Sequence, residues 1–138
     1  MPQDLPKARG LFSKAASAIP SAAYEYGMLL DQGLGGEKNC KEGQRWLQRA
    51  AESGMVEAMT ALGESLLHAC NGEKNPTAAA RWLKPAAEKS SVTAQFSLGI
   101  LYFNGDGVPK NPGEAKKWLE LAASKGHPSA KFYLDRLN

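Results

Sequence analysis

The decapeptide RWLQRAAESG at residues 45–54 returns as RWLKPAAEKS at 81–90 and as KWLELAASKG at 117–126. Trp46, Trp82 and Trp118 thus stand thirty-six residues apart, and other columns keep the same step without a gap: Gly27, Gly63 and Gly99; Asn39, Asn75 and Asn111; Leu47, Leu83 and Leu119. A fixed period of this length marks a stacked array, in which every unit must offer the next one the same packing surface. Ala22, Ala58, Ala94 and Ala130 give a fourth occurrence, so three full units are followed by the start of another.

Two helical patterns fill each unit. In the first, Ala22, Tyr26 and Leu30 recur four apart, which stacks them on one helix face; Ala58, Leu62, Leu66 and Ala94, Leu98, Tyr102 repeat the arrangement. The glycine inside that helix costs about 1 kcal/mol against alanine. Its recurrence implies close approach of a neighbouring helix, and the tryptophan of the second helix is placed to cover the gap. The second helix opens on NCKE at 39–42 and NPGE at 111–114, each an asparagine cap with glutamate three residues later, and Pro76 and Pro112 suit the first helical position. Gly54 and Gly126 stop it. Trp46, Leu47, Ala50 and Ala51 form its buried stripe, and the regular step of the tryptophans reads as core rather than as a ligand cage.

The bulk numbers narrow the field. A chain of 138 residues is the size of one domain, and 43% hydrophobic with 22% charged residues is ordinary for a globular protein. Seventeen basic residues are interspersed with fourteen acidic ones, so no nucleic-acid partner is expected. No apolar run reaches the roughly 18–20 residues of a membrane span. GLFSKAASAIPSAA at 10–23 has the small residues of a signal peptide, but Lys14 interrupts its apolar part, and the stretch reads as folded structure. The chain is expected in the cytoplasm as written, or in the periplasm or outside the cell if a leader has been removed. Cys40 and Cys70 match neither a zinc site nor a redox pair, and free thiols are the expectation.

The pattern AQFSLGILYFNGDGV at 94–108, followed by EAKKWLELAASKGHPSA at 114–130, resembles the SEL-one-like repeat (SLR) family, a relative of the tetratricopeptide repeat. The resemblance covers residues 21–138. It implies an all-α fold, a right-handed α-solenoid of helix-turn-helix repeats with about eight helices, first helices lining the concave side. The units implied are 21–56, 57–92 and 93–128, with an N-terminal capping helix in 1–20 and a C-terminal one in 129–138. The second unit departs from the pattern. Ala69 and Asn71 replace the loop glycines, and Pro85 lies within the second helix, where the bond to the Arg81 carbonyl is lost and a kink is expected. Cysteine-rich members bridge the two helices of each unit by regularly placed pairs, which Cys40 and Cys70 are not. Stacking nevertheless brings the start of one unit's second helix near the end of the next unit's first, so a Cys40–Cys70 bridge stays open if the Cα atoms come within about 7 Å.

Columns that vary between units are where partner specificity would be written. On the concave side these are Tyr24, Met28 and Asp31 in the first unit, Thr60, Glu64, Leu67 and His68 in the second, and Phe96, Ile100 and Phe103 in the third, with Phe132 continuing the first column. Mostly apolar with a few polar groups, such a wall suits a helix or an extended peptide; the competing reading is that some of these aromatics pack internally. His68 and His127 are not expected to converge, neither has a second ligand at helical spacing, and NGDG at 104–107 lacks the acidic ligands of a calcium loop, so no metal or other cofactor and no catalytic residue is expected. The resemblance implies a non-catalytic adaptor or scaffold that binds a protein or peptide. Narrower and competing readings are a regulator or immunity-type protein that neutralises a cognate partner, a hydrolase or binder of small cell-wall-related compounds, and a homodimer formed through the groove or a solenoid end.

Overall fold

The computed structural model describes residues 4–137. They form eight helices: α1 (Leu5–Ala15), α2 (Pro20–Gln32), α3 (Cys40–Glu52), α4 (Val56–Leu67), α5 (Pro76–Glu88), α6 (Val92–Asn104), α7 (Pro112–Ser124) and α8 (Ala130–Leu137). Among the described residues the only β pairing is one isolated bridge, Cys70 to Glu73. Helices pair as α2 with α3, α4 with α5 and α6 with α7, and each pair stacks on the next through α3 with α4 and α5 with α6. The first helices also touch in succession, α2 to α4 and α4 to α6. The result is the all-helical solenoid that the thirty-six-residue period predicts.

Asparagine sets where each second helix begins. The side-chain oxygens of Asn39, Asn75 and Asn111 accept the N–H of Glu42, Ala78 and Glu114, each at 3.1 Å. Each satisfies a backbone donor that the helix itself leaves without an acceptor, a contribution of about 1 kcal/mol. Pro76 and Pro112 start their helices, where the missing N–H costs nothing. Helix α5 continues through Pro85 to Glu88, with the Pro85 carbonyl accepting from the Lys89 N–H at 3.1 Å.

The glycine column explains how closely the two helices of a unit approach. A Cβ on Gly63 would lie 2.5 Å from Cγ and Cδ2 of Leu83; on Gly27 it would lie 2.9 Å from Cγ of Leu47, and on Gly99 2.8 Å from Cγ of Leu119. Leu47, Leu83 and Leu119 are all 0% exposed. The leucine, and not the tryptophan before it, is therefore the wedge that fills the gap. Adjacent residues on a helix point about 100° apart, so Trp and Leu cannot both face the partner backbone. The indoles take the flank: Trp118 is buried, but Trp46 and Trp82 are only half-buried. Trp46 meets Tyr26 edge-on at 5.6 Å beneath the Arg49 guanidinium, and Trp118 Nε1 donates to Glu114 Oε2 at 3.2 Å. Alanine fills what remains, with Ala50, Ala58, Ala86, Ala94, Ala122 and Ala130 completely buried. In α8 the glycine column ends in Asp135, which is exposed.

One turn between units is strained. Gly54 and Gly126 follow α3 and α7 with φ of 97° and 89°, and Ser90 takes the equivalent place after α5 with φ of 73°. A side chain there crowds the backbone.

Two stability outcomes follow from this packing. Gly63→Ala should cost about 1–3 kcal/mol by overpacking and Leu83→Ala about 2–5 kcal/mol by leaving a cavity. Urea unfolding of the double variant should show a loss smaller than the two added together by about 1 kcal/mol, because the alanine side chain then has room. Ser90→Gly should raise stability by about 0.5–1 kcal/mol in the same assay.

Candidate interaction surface

The first helices line up in register, so residues thirty-six apart become neighbours on the inner wall. Tyr24 of α2 and Thr60 of α4 meet in a hollow of about 540 Å³, whose remaining lining is Val56, Glu57 and Ala61 of α4 with Lys89, Ser90 and Ser91 of the α5–α6 turn. The Thr60 hydroxyl donates to the Val56 carbonyl at 3.0 Å and lies 2.9 Å from the Ser91 hydroxyl, which caps α6 by accepting the Ala94 N–H at 3.3 Å. Ser91 therefore donates to Thr60, and both hydroxyls are used. Burial, with help from the charges of Glu25 and Glu57, pushes the Tyr24 phenol above its ordinary value of 10.0. It stays neutral and keeps its proton. The hollow thus combines the apolar surface of Val56 and Ala61 with one phenol donor, the hydroxyls of Thr60, Ser90 and Ser91, a carboxylate and an ammonium.

Further along the wall the polar groups work between units. Asp31 Oδ1 accepts from the Ser65 hydroxyl at 2.7 Å, and Gln44 Nε2 donates to the same hydroxyl at 3.1 Å. The Ser97 hydroxyl donates a short bond to Glu64. Each carboxylate so joins one first helix to the next, α2 to α4 and α4 to α6. Met28 and Leu67 pack against the main core as partly buried side chains. His68 is exposed at a second hollow of about 410 Å³, which Asp31, Lys38, Cys40, Ser65 and Cys70 also line.

That hollow carries a correction to the sequence reading. Cys40 and Cys70 are not free thiols; they form a disulfide with their Cα atoms 5.9 Å apart. The bridge joins the start of α3 in one unit to the turn after α4 in the next, the placement that stacking left open. A signal for it was present in the residues that follow Cys70: Asn71-Gly72 favours a two-residue hairpin, which fixes where Cys70 points.

At the far end the aromatics are engaged by the chain's own last helix. Phe96 stacks on His127 at 4.0 Å and meets Tyr133 edge-on at 5.7 Å; Phe103 meets Tyr133 at 5.5 Å. Ile100 belongs to the same cluster. Phe132 is 52% exposed, with the Arg136 guanidinium 3.6 Å above its ring. The inner-wall residues thus fall into three neighbourhoods: Tyr24 with Thr60, Asp31 with His68, and Phe96, Ile100 and Phe103 under α8. His127 sits in the third and His68 in the second. Among the described residues no three His, Cys, Asp or Glu side chains gather as metal ligands, and no helix is long and apolar enough to cross a membrane.

Known proteins share this architecture. The profile of the Sel1 repeat matches residues 1–18, 20–55, 56–91 and 92–127. A Sel1 repeat protein from Oxalobacter formigenes superposes with a TM-score of 0.80 at 32% identity, over 94% of this chain and 55% of its own. A protective antigen of uropathogenic Escherichia coli displaying an SLR fold gives 0.79 at 33% identity, over 89% of this chain and 26% of its own. The Helicobacter pylori cysteine rich protein B shares the fold at 23% identity, with a TM-score of 0.67 over 91% of this chain and 96% of its own. The chain spans about half the length of the first of these and about a quarter of the second. No curated protein matches it. With four repeat matches laid over the helix pairs and leucine wedges described above, the chain belongs to the Sel1 repeat family.

Proposed function

We propose that this chain is a non-catalytic interaction module whose inner wall holds a protein or peptide partner, with Tyr24 and Thr60 at the point of contact. Repeats of this family generally serve as protein-interaction scaffolds, and the coarse reading rests on that membership. The observation that carries the finer one is the hollow between α2 and α4. Its volume of about 540 Å³ lies within the range of ligand-binding clefts, and it sets the apolar surface of Val56 and Ala61 beside a neutral phenol, with Glu57, Lys89 and the serine hydroxyls as polar groups. The rest of the wall supports the same reading in a graded way. Met28, Glu64 and Leu67 continue it between the first helices, Asp31 and His68 add polar contacts at one edge, and the exposed Phe132 extends it on α8, whereas Phe96, Ile100 and Phe103 are taken up by packing against α8. Tyrosine is well suited to such a contact because it offers a large rigid face and one hydrogen bond for little loss of side-chain freedom.

Selection of peptides from a displayed library on the folded chain tests this. Thr60→Arg fills the hollow, and binding of the selected peptides should weaken at least about tenfold, the effect of losing a central contact. Lys116→Glu, on the exposed face of α7, should leave it unchanged. Peptides that bind Thr60→Arg as tightly as the parent chain but lose affinity for Lys116→Glu would place the contact on the outer face and overturn the proposal.

The raised Tyr24 pKa gives a second outcome. A group whose folded pKa exceeds its unfolded one stabilises the fold fully below the unfolded value, here 10.0, and loses that contribution as pH rises through the folded value. Tyr24→Phe should therefore remove absorbance change from the alkaline end of the phenolate titration and lessen the fall in melting temperature above pH 10.

A further inference from the structure

The turn that leads from a first helix to a second also meets the preceding unit, and it does so in two different ways. After α2, Gly35 has φ of 76°, and a Cβ there would lie 2.5 Å from the carbonyl oxygen of Leu5 at the start of α1. After α6, Gly107 has φ of 72° and sits as closely on the Pro76 carbonyl and the Thr77 N–H at the start of α5. In both turns a bare glycine backbone lies on the first residues of the previous unit's second helix. After α4 that device is missing, because the equivalent positions are Ala69 and Asn71.

The chain makes a different turn there. Helix α4 ends at Leu67, His68 is extended, and Cys70 and Glu73 exchange two backbone bonds of 2.8 and 3.0 Å around Asn71 and Gly72. Both central residues have positive φ, 55° and 83°, which makes a type I′ hairpin. The hairpin holds Cys70 over Cys40, which occupies in α3 the place that Pro76 occupies in α5. The covalent bond and the glycine contact therefore act at the same point of the repeat. Little else joins this turn to α3. Residues 71–75 are all exposed, Gly72 has no neighbour that a Cβ would touch, and the Lys41–Glu73 ion pair is 3.9 Å long between exposed groups.

We propose that the Cys40–Cys70 disulfide is a redox-controlled staple that takes the place of glycine docking at the junction between the first two units. Cys70 is 3% exposed, whereas Cys40 is half-buried and lines two hollows, so a small thiolate reaches the bridge from the Cys40 side. With a dithiol as reductant, one thiolate attacks a bridge sulfur to give a mixed disulfide and releases the other cysteine. The second thiolate then closes the reductant's own disulfide and frees the remaining cysteine. Two electrons and two protons pass to the pair, giving two thiols, and the dithiol is oxidised. In oxidising surroundings the turn is pinned to α3; in reducing ones it is released, and the hollow that holds Asp31 and His68 loses one wall.

Hydrogen exchange and thermal melting of the full chain with and without dithiothreitol test this directly. Reduction should lower the melting temperature by roughly 10 °C and speed amide exchange at least about tenfold in residues 68–75 and at the facing ends of α3 and α4, leaving α6 and α7 unchanged. Cys40→Ser/Cys70→Ser should melt like the reduced chain whatever the reductant. The variant Cys40→Ser/Ala69→Gly/Cys70→Leu/Asn71→Gly writes the first unit's GLGGEKN turn into the second, and it should recover at least half of the lost melting temperature. An unchanged melting temperature and exchange pattern on reduction, a uniform gain of exchange over all helices, or no recovery with the glycine turn would each overturn the proposal.

Discussion

A fully buried leucine pressed onto a stretch of helix that has no side chain sets the geometry of every unit. Because Gly27, Gly63 and Gly99 leave no room for even a methyl group, the two helices of a hairpin lie closer than side-chain packing would allow, and Leu47, Leu83 and Leu119 lock them there. The contact is non-polar and short-ranged, so its contribution depends on fit rather than on bulk apolar area. Everything else takes its position from it. The alanine pairs after each leucine bring the next unit close, the first helices fall into register, and residues one period apart become neighbours on the inner wall.

Register is what turns a repeat into a surface. Tyr24 and Thr60 share a hollow only because α2 and α4 are held at one fixed offset, and the same offset lets Ser65 reach Asp31 and Ser97 reach Glu64. These hydrogen bonds between units add to the apolar cluster that runs through them from Ala16 to Trp118. Along α2 and α4 the wall passes from the Tyr24–Thr60 hollow to the Asp31–Ser65 bond, and under α8 it closes in the cluster of Phe96, Phe103 and Tyr133.

Much of this was legible in the residues. The period, the paired helices, the asparagine caps and the close glycine approach all follow from spacing alone. Which residue fills the glycine gap did not, because Trp and Leu stand side by side in every copy, and only the direction of the partner helix separates them. The columns of the inner wall read as mostly apolar with Asp31, Glu64 and His68 between, and left open whether some aromatics pack internally; at the C-terminal end they do, because of Tyr133. The equivalents of that residue are Glu25, Ala61 and Ser97, too small or too polar to pack between Phe96 and Phe103. The bridge between Cys40 and Cys70 escaped the pattern for a related reason. A periodic reading looks for what recurs, and this pair marks the one turn where the repeat fails.

The end of the glycine column has a bearing on how molecules of this kind meet. Where three first helices present naked backbone, α8 presents the carboxylate of Asp135. An apolar knob from another copy, offered in the manner of Leu119, would strike that side chain and strip water from its charge without supplying a counter-ion. A leucine wedge of the kind that closes the three helix pairs therefore finds a side chain and a charge on α8 where Gly27, Gly63 and Gly99 leave bare backbone.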